Sequence, residues 1–312
     1  MVTCICLSPC IDKTVSIPKF TYGGMNRAKS IRTDPSGKGF NVARVLSRFG
    51  VKTVVQGFLF HENSELITKA LEEDGVINDC CLLPGAVRTN TKILDEENHI
   101  ITEINEPNPA VDAESMRKFE DKLREAAKRS EYVCFSGSLP AGFPPDTNER
   151  LMNAVSDTGS RCVLDAEGDA LKAGLRANPY LVKPNKYELE LFEGRPLNSS
   201  EEIRLAACRL ASGASVVLVS LGKDGALITD GKRGFIAEAV DVDVKSTVGA
   251  GDSMVAGAVY ALMEGMGIKT ALKYGVAAAA SCVSCEGTGL ANAETAKKLI
   301  KQVKVTEISN LL

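Results

Sequence analysis

Tryptophan is absent from this 312-residue chain, and aromatic residues of all kinds make up only 5% of it. Stacking platforms for bases or sugar rings are therefore scarce. An excess of one charge is missing too: 37 Lys and Arg stand against 40 Asp and Glu, a net charge of −3. That balance argues against a strongly basic nucleic-acid surface, although it leaves room for a local basic cluster. No apolar run approaches the ~20 residues of a membrane-spanning helix, so no membrane span is expected. The two histidines, His61 and His99, each stand apart from other candidate metal ligands. Two nucleotide motifs are also missing. Gly37-Lys38-Gly39 and Gly222-Lys223-Asp224 both depart from G-x-x-x-x-G-K-[ST]. Gly249 and Gly251 are followed by Met254 and follow no early strand, so the dinucleotide fingerprint fails as well.

What is present is an ordinary globular composition, 44% hydrophobic and 25% charged, which excludes a disordered or low-complexity chain. A chain of this length buries roughly three quarters of its unfolded surface and needs no disulfide or metal staple. Its ten cysteines fit that reading. Cys4 and Cys6 alternate in an apolar run with Cys10 just beyond, and Cys134 and Cys162 lie in other apolar runs, where a thiol packs as a small hydrophobe. Cys282 and Cys285 have C-x-x-C spacing, but they sit in a small-residue helical stretch and no second pair exists, so buried thiols are expected rather than zinc or redox chemistry. The first residues, MVTCICLSPCIDKT, carry no basic leader, and a reducing cytoplasm is the expected compartment.

Short β-branched runs alternate with amphipathic stretches along the chain. Strands are expected at 1–7, 53–60, 132–135, 162–165, 180–182 and 216–220. Helices are expected at 41–49, 64–74, 112–128, 148–157, 200–211, 253–263, 270–283 and 294–303. Val42, Val45, Leu46 and Phe49, for example, recur at helical spacing with Gly50 as a stop. This alternation predicts an α/β fold with a mainly parallel sheet covered on both faces. Residues 13–33 and about 88–104 break the rhythm with period-two alternation, as in Thr14-Val15-Ser16-Ile17 and Thr91-Lys92-Ile93-Leu94. They are expected to form short antiparallel strands that leave the main sheet together as a small β lid; two separate surface hairpins are the alternative. The chain then reads as one large domain, 1–312, with the lid borrowed from two of its connections.

The chemistry concentrates at two glycine-rich turns. Ser246-Thr247-Val248-Gly249-Ala250-Gly251-Asp252-Ser253 precedes an apolar helix. Glycines there let the backbone approach a ligand, and the free N–H groups of a helix start favour an anion. Asp252 at that terminus reads as an N-cap or as a carboxylate beside an anion pocket, able to accept a hydroxyl proton. The latter is the layout of phosphoryl transfer to an alcohol. Asp34-Pro35-Ser36-Gly37-Lys38-Gly39-Phe40-Asn41 is a second such turn with a lysine included. Two anion sites on one α/β chain suit a two-substrate enzyme.

Ser36–Asn41 together with STVGAGDSMVAG at 246–257 resembles the paired signatures of the ribokinase-like sugar kinases, the PfkB family. The likeness runs from the first strand to the last helices and includes Pro9-Cys10-Ile11-Asp12, Asn26-Arg27-Ala28, Arg88-Thr89-Asn90, Ser136-Gly137-Ser138, Lys183-Pro184-Asn185-Lys186-Tyr187-Glu188 and Ser220-Leu221-Gly222-Lys223-Asp224-Gly225. It implies a three-layer sandwich with a β lid, and ATP-dependent phosphorylation of a phosphosugar. The combination is most similar to kinases of fructose 1-phosphate; tagatose 6-phosphate and fructose 6-phosphate are the alternative acceptors. By the resemblance Asp252 is the base, and Gly249, Ala250 and Gly251 hold the transferred group. Asp12, Gly37, Asn41 and Ser136 meet the sugar, and Arg27, Lys38 and Arg88 its phosphate. Lys183, Asn185, Ser220, Gly222 and Gly225 meet ATP, while Asn185 and Glu188 hold Mg²⁺ mostly through water. Two positions depart from the family pattern, Ser36 for a glycine and Ser8 for an asparagine, both on the sugar side. A non-catalytic sugar-phosphate sensor on the same fold is a competing reading, which predicts a lost base or a damaged anion loop. One-sided lid strands expose an apolar face, so a homodimer through the lid is expected.

Overall fold

The structure is a computed structural model and describes residues 1–287 and 289–308. The chain opens with β1 (Val2–Cys6), then β2 (Cys10–Ile17), β3 (Ser30–Ser36) and α1 (Lys38–Arg48). Next come β4 (Thr53–Glu62), α2 (Glu65–Glu73), β5 (Ile77–Asn78), β6 (Cys81–Ala86), β7 (Arg88–Asp95) and β8 (Ile100–Asn105). Alternation then sets in: α3 (Ala113–Ala127), β9 (Tyr132–Ser136), α4 (Thr147–Asn153), β10 (Arg161–Asp165), α5 (Gly168–Gly174), β11 (Leu181–Val182), α6 (Lys186–Glu193), α7 (Ser200–Leu210) and β12 (Val216–Ser220). After β13 (Ala226–Thr229) and β14 (Gly234–Ala237) come α8 (Ala250–Met263), α9 (Gly267–Val283), α10 (Ala293–Leu299) and β15 (Val305–Glu307).

The main sheet runs β15-β14-β13-β12-β11-β10-β9-β1-β4-β5, with β6 also on β4. Pairings from β12 through β4 to β5 are parallel, and only the β13–β15 end is antiparallel. β1 and β9 are buried throughout, Cys4 lying opposite Val55 on one side and Cys134 on the other. Such strands read as continuous apolar runs because helices cover both faces. Helices α1, α8, α9 and α10 pack together on one face, and α4–α7 form the opposite layer, tied to α3 through Arg150 and Glu120. This is the expected α/β class.

β2, β3, β7 and β8 form a second, four-stranded sheet in the order β3-β2-β7-β8. It is not wholly antiparallel: β2 and β7 pair in parallel. They follow β1 and the β4–β6 segment, which are parallel neighbours in the main sheet, and so leave it side by side in one direction. Alternation then gives the sheet two unlike faces. Asp12, Asn90, Lys92, Glu103 and Asn105 share the inner face, while Val15, Ile31, Ile93 and Ile104 share the outer one.

Three helices begin three residues before their expected starts, α9 at Gly267 and the two that border the cleft. α1 starts at Lys38 and α8 at Ala250, with Gly37 and Gly249 as N-caps. Apolar spacing detects the buried stripe of a helix, whereas in α1 and α8 the first turn is spent on the cleft. The expected helix at 148–157 is instead α4 followed by a 3₁₀ turn at Ser156–Thr158. Short α5 and α6, and strands β13–β15, have no counterpart in the sequence expectation. None of the described helices is long and apolar enough to cross a membrane.

Candidate active site

The carboxyl ends of β1, β9, β10, β11 and β12 converge on one cleft, where open α/β sheets place their ligands. It holds about 420 Å³ and lies between those strand ends, the first turns of α1 and α8, and the inner face of the second sheet. Asp12, Gly37, Lys38, Arg88, Lys183 and Asp252 all line it, although they lie up to 240 positions apart in sequence.

Asp252 belongs to the first turn of α8 rather than capping it; the cap is Gly249, at φ 80°. A side chain there would strain the backbone and place its Cβ 2.9 Å from Leu290 Cδ2. The Ala250 N–H donates to the Thr247 carbonyl at 3.3 Å, and Ala250 faces a neighbouring cleft. Of the three expected anion-binding residues, Gly249 and Gly251 are therefore the two that border the Asp252 cleft. The Asp252 carboxylate is 6% exposed and accepts a 2.8 Å hydrogen bond from Asn41 Nδ2. Burial, with Asp165 adding to it, pushes its ionisation up to about 6; Lys38, the Asn41 amide and Lys183 oppose the rise. The result is a carboxylate poised to accept a proton near neutral pH.

Asp165, the last residue of β10, stands at the centre of the charge arrangement. It is 1% exposed and pairs with Lys183 at 3.3 Å and Lys38 at 3.4 Å. Burial acts to raise its carboxyl, but the two ammonium groups outweigh that and hold it below its ordinary value. Its Oδ2 is buried without a partner. Lys38 is thereby drawn to the end of the cleft that holds Asp165 and Asp252. At the start of α6, Asn185 Oδ1 accepts from the Glu188 N–H and Glu188 Oε2 accepts from the Asn185 N–H, both at 2.8 Å, a reciprocal capping box. Burial raises the Glu188 carboxyl, against the pull of Lys183. The capping box thus fixes Asn185 and Glu188 against each other, and both border the cleft.

The second sheet supplies the opposite wall. Lys92 Nζ lies 3.1 Å from Asp12 Oδ2, and Asn90 Nδ2 is 3.4 Å from Asp12 Oδ1. Arg88 donates through Nη1 to Asn90 Oδ1 and to the Glu106 carbonyl, leaving its buried Nε unpartnered. Arg88, Asn90 and Lys92 therefore line one wall at period two. A second cleft of about 790 Å³ adjoins the first across Asn185, Ser220 and Gly251. It contains Gly222 and Gly225 and is walled by Val242, Val276, Ala279 and Val283.

Two expected site residues lie elsewhere. Arg27 is exposed in the connection between β2 and β3 and does not line the cleft. That connection folds on itself, with Asn26 bonded to the N–H and carbonyl of Thr21. Ser136 is buried with its hydroxyl unpartnered, and Gly137 and Ser138 reach the cleft in its stead as the chain turns, Gly137 at φ 107°. Sequence reasoning missed Asp165 and gave no separate role to Asn90, quoted only within Arg88-Thr89-Asn90, or to Lys92. A carboxylate ending a predicted parallel strand marked the first, and alternation from Arg88 marked the other two. Cys10 also lines the cleft, and burial, with Asp12 adding to it, raises its thiol to about 11. Cys282 and Cys285 donate to backbone carbonyls, and no cluster of three or more metal-binding side chains occurs among the described residues.

Known proteins resemble this chain over most of its length. The 1-phosphofructokinase of Rhodobacter capsulatus is 38% identical over 264 residues, 84% of each chain. That of Escherichia coli strain K12 is 34% identical over 290 residues, 93% of each. The solved structure of Escherichia coli phosphofructokinase-2 in complex with substrates and products superposes with a TM-score of 0.90 at 28% identity, covering 97% of this chain and 98% of that one. The model of the pfkB family carbohydrate kinases matches residues 2–296, nearly the whole chain, and the chain belongs to that family.

Proposed function

We propose that this carbohydrate kinase transfers the γ-phosphoryl group of ATP to the carbon-6 hydroxyl of fructose 1-phosphate, giving fructose 1,6-bisphosphate and ADP. The observation that carries the chemistry is buried Asp252, poised near pH 6 beside the Gly249–Gly251 turn. The names of the relatives support the acceptor. Asp252 takes the hydroxyl proton as the sugar oxygen bonds to the γ-phosphorus, and the bond to the bridging oxygen breaks with its electron pair leaving on ADP. Backbone donors at Gly249 and Gly251 and the ammonium groups of Lys38 and Lys183 stabilise the charge spread over the transferred group. The adenosine lies in the apolar second cleft, which opens to the first beside Gly251. Asp12, fixed by Lys92 and Asn90, accepts sugar hydroxyls, and Arg88 with its unpartnered Nε meets the sugar's phosphate.

The residues present fit Mg²⁺. Glu188 borders the cleft, the orphan Oδ2 of Asp165 is a second acceptor for a hydrated ion, and Mg²⁺ takes one or two carboxylates beside phosphate oxygens. A bound Mg²⁺ would supply positive charge to offset that of the ATP phosphates. The second sheet is a lid that shuts water away from the γ-phosphate. Its outer face leaves Ile31 and Ile104 each 57% exposed, and a second copy of this chain covers them in a homodimer. The intact base, anion turn and Glu188 disfavour a non-catalytic sensor.

A coupled ADP-release assay with ATP and Mg²⁺ tests the reaction. Fructose 1-phosphate should give the highest kcat/KM in a panel with tagatose 6-phosphate, fructose 6-phosphate and fructose. A higher value for any of the other three overturns the acceptor assignment.

A further inference from the structure

Asn41 and Asp252 are 211 positions apart in sequence and 2.8 Å apart in space, joining the first turn of α1 to the first turn of α8. Both side chains are buried, at 3% and 6% exposure. A carboxylate in such a place needs its orientation set, because a rotated carboxylate presents the wrong oxygen to an incoming hydroxyl. The Asn41 amide is the one side-chain hydrogen bond the described structure gives Asp252. The other groups facing Asp252 act only through their charge: Asp165 from β10, Lys38 from α1 and Lys183 from beyond β11, with the Cys282 thiol of α9 nearby.

We propose that Asn41 is a positioning residue for the base: by donating to Oδ2 it turns Oδ1 toward the sugar hydroxyl and favours the ionised carboxylate. This rests on the reading of Asp252 as the base. It differs from a direct sugar contact, which the family resemblance implies for Asn41 and which acts on KM. A neutral amide does this work without neutralising the carboxylate. Lys38 and Lys183 are already shared with Asp165, so neither is free to orient Asp252. Support comes from the direction of its effect, since the amide holds the Asp252 carboxyl lower than burial alone would.

The test compares the full-length protein with Asn41→Leu, which keeps the volume and removes the donor, and Asn41→Gln, which restores a donor. Asn41→Ala stands in for the leucine variant if that fails to fold. Loss of the bond should move the acid limb of kcat/KM for the phosphosugar upward by about one pH unit. It should also lower kcat at pH 7 by roughly tenfold or more, with KM for the sugar changing less than kcat. Asn41→Gln should recover part of both. A raised KM with an unmoved limb and full kcat overturns the proposal in favour of a sugar contact. The second measurement needs no substrate: ¹³C NMR titration of aspartate carboxyls, with the Asp252 signal assigned by its loss in Asp252→Asn. The Asp252 transition should rise in Asn41→Leu whatever sugar the enzyme uses. An unmoved transition overturns the proposal, whereas a moved transition with no phosphosugar turned over sinks the acceptor assignment and leaves the positioning role standing.

Discussion

Asp252 destabilises the fold that it serves. Its folded-state ionisation is raised by burial from 3.8 to about 6, so between those values the native state binds more protons than the unfolded chain. Stability therefore falls as pH rises through that window, and above it the ionised carboxylate costs on the order of 2–3 kcal/mol. Asp252→Asn should lower kcat by ~10²–10⁴ with little change in the KM for ATP. The same variant should melt higher than the parent at pH 7.5, by calorimetry, and the gain should shrink toward pH 4.5. A lower melting temperature at pH 7.5 would contradict the burial argument. Across the cleft, Arg88→Ala and Lys92→Met should each raise the KM for the phosphosugar at least tenfold more than the KM for ATP; equal effects would remove both residues from the sugar side. At this scale the sequence was most legible where backbone and chemistry coincide, as at Gly249, Gly251 and Asp252. Asp165 and Lys92 were hidden because a single charged residue in a strand has no local partner to mark it. Their partners Lys38, Lys183 and Asp12 come from other elements.

The pairing of α8 with α9 carries the anion turn at the head of α8. Gly257 lets the two helices touch: an added Cβ would lie 2.5 Å from the Tyr274 carbonyl oxygen, a backbone atom that cannot swing aside. Gly257→Ala should destabilise by about 1–3 kcal/mol in urea unfolding, as overpacking does. It should also lower kcat more than it raises either KM, because displacement of α8 moves Gly249 and Asp252 together. An unchanged urea midpoint would show that the helices can part freely. Most elements were legible from periodicity, and the β12 expectation of 216–220 matches its observed span. The misses share a cause. α5 and α6 are too short to show a helical stripe, and β2 pairs with β7 in parallel through contacts 78 residues apart that no local pattern records.

At the scale of the whole molecule, the outer face of the second sheet is an exposed apolar face among the described residues. Ile31 and Ile104 are 57% exposed on the outer side of the lid, and Val15 and Ile93 lie between them. Sedimentation at micromolar concentration should give a dimer, and Ile104→Lys should give a folded monomer with reduced affinity for the phosphosugar. A monomeric parent protein would refute lid pairing. By itself the amino-acid sequence determined the α/β class, the two strand segments that leave the main sheet and both glycine turns, because each rests on periodicity or on neighbours within a few positions. Only the tertiary structure decided which groups share the cleft. It set Asp165 between two lysines and gave Asn41 to Asp252. It placed Lys92 on Asp12 and put Arg27 outside. Burial and charge pairing depend on distances in space, and those are created when remote strands and helices are brought together.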